Sequence, residues 1–161
     1  MQLETTRFGV VEVDDKSTID IPSGVPGFSD MRRVALLGAG AMPGVPAVED
    51  QNSMFWMQDL DDGARAFLCI DPWMTFPNYD VDIDEKALDI TDDSNVCVLA
   101  LVTVNRTEGQ ATMSANLRAP IVIDLSTRRA HQLILSDKTW PLDATFATTA
   151  PADAATLLSV G

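Results

Sequence analysis

Apolar positions recur along this chain mostly every second residue, in short runs broken by Gly, Pro, Asn and Asp, which is the pattern of half-buried β-strands. Phe8–Asp14 reads as a first strand, Asp14–Ser17 as a turn, and Thr18–Ile21 as a short second strand. Pro22, Gly24, Pro26 and Gly27 then fix a loop, and Ser29 is placed to cap one helical turn through Arg33. Val34–Leu37 is a further strand, and Met54–Gln58 and Ala66–Ile70 form a hairpin around the acidic segment Asp59–Arg65. Phe76–Ile83 looks extended, with Pro77 marking an edge, and Asp84–Ile90 opens on acidic residues as a helix does. Val96–Val104 is apolar at almost every position, which predicts a central strand buried on both faces. Met113–Arg118 alternates, and Ile121–Leu125 and Ala130–Leu135 form a second hairpin across Ser126–Arg129. The sum is an all-β, mainly antiparallel chain, a compact β-barrel-like or sandwich domain with one or two short helices. Residues 1–142 form the domain, and the Ala- and Thr-rich stretch 143–161 is expected to be a frayed tail.

Within 161 residues there is room for one sizeable core. Residues 38–53, built from Gly, Pro, Ala and a few polar residues, are expected to be a surface loop inside that domain. The start of the chain has neither a basic region nor an apolar one, and no run approaches the length of a membrane span, so a cytoplasmic location is expected. Cys69 and Cys97 each lie in an apolar run and are expected to pack as small hydrophobes.

The charge is −13 and unevenly spread: residues 1–95 carry 19 acidic and 6 basic side chains, residues 96–161 five of each. With no basic stripe to neutralise phosphates, direct nucleic-acid binding is disfavoured. An acidic field of this size instead steers basic partners.

Signals for catalysis are weak. The single histidine, His131, sits in a strand between Ala130 and Gln132. No nucleophile elbow, zinc-protease helix or phosphate-binding glycine loop is present. Asp59–Gly63 resembles a piece of a calcium loop, but its glycine comes one place early and no bidentate Glu follows. Asp80, Asp82 and Asp84 alternate, so they share one face of an extended segment, as either a weak cation site or a solvated edge. Aromatic residues crowd into 55–79, and the part from Trp73 to Tyr79 is the least strand-like, so some of its rings are expected in an exposed protein-binding patch. Gly9, Gly24 and Gly27 are read as positions needing positive φ or close approach, and Asn116 as the polar residue with a dedicated hydrogen bond.

Three stretches, in order, resemble the FliW family of flagellar assembly factors. They are Thr6–Gly9 running to Ile21-Pro22-Ser23-Gly24-Val25-Pro26-Gly27-Phe28; then Phe55-Trp56-Met57-Gln58-Asp59-Leu60-Asp61-Asp62, with Ala66-Phe67, Ile70-Asp71-Pro72 and Phe76-Pro77-Asn78-Tyr79; then Met113-Ser114-Ala115-Asn116-Leu117-Arg118-Ala119-Pro120, with Thr127-Arg128-Arg129 and Gln132-Leu133-Ile134-Leu135. The resemblance implies a compact antiparallel β-barrel-like domain with no cofactor and no enzymatic activity. It also implies two alternative partners, flagellin and the RNA-binding translational repressor CsrA, whose repression of flagellin synthesis is relieved when it is bound. Phe76, Pro77, Tyr79, Asp80 and Asp82 are the expected partner-binding residues, the first three for an apolar contact with flagellin. The chain departs from the family pattern in the length of 38–53 and in Asp143-Ala144-Thr145, where basic or His residues are commoner. Two other classes remain open on the residues alone: a carboxylate- or metal-dependent hydrolase, and an acidic mimic that blocks a nucleic-acid-binding protein by charge.

Overall fold

A computed structural model describes residues 1–6, 9–25, 27–38, 54–84, 86, 88, 90, 95–107, 110–136 and 139–149. Its strands are β1 (Gln2–Thr5), β2 (Gly9–Glu12), β3 (Ile19–Asp20), β4 (Arg33–Gly38), β5 (Met54–Asp59), β6 (Ala66–Ile70), β7 (Val96–Thr107), β8 (Gln110–Ala115), β9 (Ile121–Asp124), β10 (Arg129–Gln132) and β11 (Ala144–Thr149). A four-residue helix, α1 (Pro72–Thr75), follows β6.

Seven strands close into a barrel in the order β7-β6-β5-β4-β3-β10-β9, with β9 returning to β7. All pairs are antiparallel except β3 with β10, which meet in parallel at Asp20 and Arg129. β7 is the hinge of the design. One edge carries β6; the other carries β9 along Val96–Leu99 and β8 along Val102–Thr107. β8 and β9 are thus one path along β7, interrupted by residues 116–120, which leave the ladder and return. β11 adds to the outer edge of β8, and β1 with β2 forms a separate ribbon.

Side chains of β5, β6 and β7 divide by period two into two cores, which explains their unbroken apolar runs. Phe55, Met57, Phe67, Cys69, Cys97, Leu99 and Leu101 face the barrel lumen together with Ile19, Ile21, Val34, Ile121 and Ile123. Met54, Trp56, Leu68, Ile70, Ala100, Val102 and Val104 face outward and are covered by Tyr79, Met113, Leu117, Trp140 and Phe146. Each large aliphatic side chain buried in this way contributes about 1.5–3 kcal/mol, so neither face of β5–β7 is dispensable. Burial pushes the Cys69 thiol up to about 12 and also raises Cys97, so both behave as apolar filler.

Several expectations are corrected. Residues 144–149 form β11 and do not fray: Phe146 sits at a bulge between Thr145 and Ala147 and packs inward, while residues 150–161 lie outside the described set. The helical turn expected after Ser29 is a plain turn, because Arg33 is already in β4. Phe76–Ile83 joins no sheet. The described members of 84–90 show turns, with Leu88 N–H donating to the Asp84 carbonyl at 3.2 Å; residues 85, 87 and 89 fall outside the description. The 38–53 loop, beyond Gly38, also lies outside the described residues. β1 was not foreseen, being four residues long with only Leu3 apolar.

Gly9, Gly24 and Gly27 all adopt positive φ. At Gly24 the need is double: φ is +69°, and a Cβ would lie 2.5 Å from the Ser29 carbonyl oxygen. This glycine lets the 22–29 loop fold flat, with Val25 and Phe28 exchanging main-chain hydrogen bonds and Val25 and Met31 buried beneath.

Candidate partner-binding groove

The segment after β6 is built by local capping. The Asp71 carboxylate accepts from Trp73 N–H at 3.1 Å, and Pro72 takes the first helical position, so α1 starts sharply. It ends as sharply, with Phe76 N–H on the Pro72 carbonyl and Tyr79 N–H on the Phe76 carbonyl. The Trp73 indole N–H closes the knuckle onto the Tyr79 carbonyl at 2.6 Å.

This knuckle drives Tyr79 into the outer core. Its ring lies between Trp73 (5.6 Å) and Trp140 (4.9 Å), and its hydroxyl donates to the Leu117 carbonyl at 2.6 Å. Burial pushes its phenol up to about 12. Leu117 belongs to the 116–120 excursion, whose shape is set by Asn116: its side-chain oxygen accepts from both Arg118 and Ala119 N–H at 3.1 Å. Arg118 in turn donates to the Trp140 carbonyl, and Gln132 to the Ala119 carbonyl. Beyond β10 the chain stays extended beside this excursion, with Leu133 N–H on the Pro120 carbonyl (2.9 Å) and Leu135 N–H on the Arg118 carbonyl (2.8 Å).

Between these pieces lies an open groove of about 500 Å³. Leu88, Leu133, Ile134, Leu135 and Trp140 supply apolar walls, and Asp80, Asp82 and Asp84 one rim. Ile134 is 69% exposed although it is a large aliphatic. The arrangement can hold apolar side chains against Trp140 and Ile134 while offering carboxylates to a cation.

A second acidic cluster, in the β5–β6 turn, is organised differently. Gln58 and Asp59 are fully buried. The Gln58 amide donates to the main chain of the turn, at 3.0 Å to Asp59 and 3.1 Å to Arg65. Asp59 accepts from Asp61 N–H and contacts Arg65 Nε at 3.0 Å. Arg65 also grips Asp30 through both terminal nitrogens at 3.0 Å, and Arg33 pairs with Asp61 at 3.0 Å. The Arg65 hydrogen bond holds the Asp30 carboxyl below its usual value, and the same pairing raises Arg65. Gly63 touches the chain at Glu4 so closely that any Cβ would collide with its carbonyl. The Asp59–Gly63 run is therefore a clamp joining β1, the 22–30 loop and β4 to the hairpin. Among the described residues no three His, Cys, Asp or Glu side chains are grouped as a metal site needs.

Residues 2–146 of the 161 match the family model for the FliW protein. The chain belongs to the FliW family. A flagellar assembly factor FliW from Syntrophus aciditrophicus is 32% identical over 145 residues, covering 88% of this chain and 85% of that one. Another from Treponema denticola is 33% identical over 143 residues, covering 87% and 89%. A crystal structure of the flagellar assembly factor FliW superposes with a TM-score of 0.75 at 25% identity, covering 91% of this chain and 97% of the other.

In this FliW-family chain the residues expected to bind a partner part company. Asp80 and Asp82 are exposed and rim the groove together. Pro77 is exposed, and Phe76 is half-buried with its ring 6.2 Å from Phe146, both on the knuckle and away from the groove walls. Tyr79 is corrected: it is 3% exposed and cannot touch a partner, because the knuckle turns it under Trp140. Leu133, Ile134, Leu135 and Trp140, which line the groove, were not among the expected residues. Their signal was present: three consecutive apolar residues in an alternating segment must leave one facing outward.

Proposed function

We propose that this FliW-family protein is a non-enzymatic flagellar assembly factor of the cytoplasm that binds flagellin and, alternatively, a CsrA-type translational repressor, relieving repression of flagellin synthesis. Family membership over residues 2–146 is the observation that carries the reading. Competition between two partners for one protein needs no catalysis: accumulating flagellin withdraws the factor from the repressor by mass action. The net charge of −13 supports a basic second partner, since an acidic body docked on an RNA-binding protein repels phosphates within about a Debye length, ~8 Å at physiological salt.

The partner-binding face in this proposal is the knuckle and the groove rim, Phe76, Pro77, Asp80 and Asp82, with Tyr79 as the support behind them. The test is capture of cytosolic proteins on the tagged protein at physiological salt. Recovery of flagellin, with or without the repressor, is expected. Recovery of neither from flagellated cells rejects the reading. A folded Phe76→Ala, Pro77→Ala variant that captures both partners as well as wild type removes the knuckle from the interface.

A further inference from the structure

Within the partner-binding reading just proposed, on which this step rests, we infer that the groove between Asp80–Asp84 and Leu133–Ser136 docks an extended segment of a partner protein, in which apolar side chains alternate with Lys or Arg, and that this segment pairs with the main chain of Ile134.

Main-chain direction gives the first ground. Leu133 and Leu135 both turn their N–H groups toward the 118–120 excursion. In an extended chain, successive residues point their main-chain groups to opposite edges, so those of Ile134 face away from it. Among the described residues, Ile134 makes no main-chain hydrogen bond. It therefore presents an open donor and acceptor at a strand-like edge, which is how a sheet accepts an added strand.

Side-chain chemistry gives the second. The Ile134 side chain is 69% exposed beside Leu133, Leu135 and Trp140, and the facing rim is Asp80, Asp82 and Asp84. Among the described residues Asp80 and Asp82 form no ion pair, in contrast to Asp30, Asp59 and Asp61. An occupant with apolar side chains toward Trp140 and cations toward Asp80 and Asp82 satisfies both walls. A second copy of this chain, itself at −13, brings the wrong charge. The open Ile134 edge argues against a helix, whose main-chain groups are already paired within itself. An extended chain presents alternate side chains about 7 Å apart on each face, matching apolar wall and acidic rim.

The probe is a labelled heptapeptide, Lys-Val-Lys-Leu-Lys-Val-Lys, measured by fluorescence anisotropy at physiological salt. Alongside it run its Glu-for-Lys counterpart and a helical peptide with the same residues stapled at i and i+4. Expected are binding of the Lys peptide, at least tenfold weaker binding to the Asp80→Asn, Asp82→Asn variant and to Ile134→Ser, and slowed exchange of the Ile134 amide proton in the complex. Four results overturn the inference: no binding at millimolar peptide, equal binding to the Asn variant, equal or tighter binding of the Glu or stapled peptide, or an Ile134 amide whose exchange is unchanged. Flagellin capture separates this from the functional reading. Wild type and Asn variant both capturing flagellin while the peptide fails removes the groove alone. Peptide binding as described with no flagellin captured removes the assembly-factor reading alone.

Discussion

Asp59, Asp61 and Asp62 in the β5–β6 turn and Asp80, Asp82 and Asp84 after the knuckle have nearly the same composition and spacing. In the first cluster two arginines consume the carboxylates: Arg65 reaches Asp59 and Asp30, and Arg33 reaches Asp61. Asp59 is wholly buried there, so the pair holds the turn to the barrel. In the second cluster Asp80 and Asp82 stand exposed over an apolar groove. The lesson is that an acidic run is structural where the fold delivers a cation to it and available where the fold delivers a cavity.

The sharpest way to break this comparison is Asp59→Ala. It strips a buried carboxylate from Arg65 and from Asp61 N–H, and a loss of about 3 kcal/mol is expected in urea unfolding. A loss near zero makes the two clusters equivalent. Tyr79→Phe comes next: it leaves the buried Leu117 carbonyl without its donor, at a cost of about 1–2 kcal/mol, and loosens Trp140 at the groove. Unchanged stability together with unchanged binding removes Tyr79 as the groove's support.

Smaller effects sharpen the contrast. Arg65 depresses the Asp30 carboxyl in the folded state, so its contribution is present above the unfolded value, near 3.8, and disappears as pH falls through the lower folded value. The urea midpoint of Asp30→Asn is therefore expected below wild type at pH 7, with the gap closing as pH falls below 3.8. A gap independent of pH attributes the effect to packing. The smallest expected change is in Asp80→Asn, Asp82→Asn, whose urea midpoint stays at the wild-type value. A drop comparable to that of Asp59→Ala shows that the rim is structural as well.

Much of the fold was legible in the residues. β5, β6 and β9 fall within about one residue of where alternation and turn residues place them, and the apolar run at 96–104 marks the strand with the most neighbours. Gly24 and Asn116 do what their chemistry suggests, one at positive φ and the other folding an excursion onto itself. Period-two patterning reports which residues share a face, and Gly, Asn and Pro report where the chain must turn, because both are local properties of the backbone.

The sequence alone determined the strand content, the acidic excess and the absence of familiar catalytic motifs, since each is carried by neighbouring residues or by their sum. Tertiary structure decided the rest. Whether Tyr79 faces a partner or the core depends on a knuckle that places Trp140, 61 residues later, on its ring. Which acidic run is neutralised depends on Arg65 meeting Asp30 across 35 positions. The groove exists only because residues near 80, 118, 134 and 140 converge. No local pattern records such meetings, because they are fixed by barrel closure between strands distant in the chain and not by the preferences of any one segment.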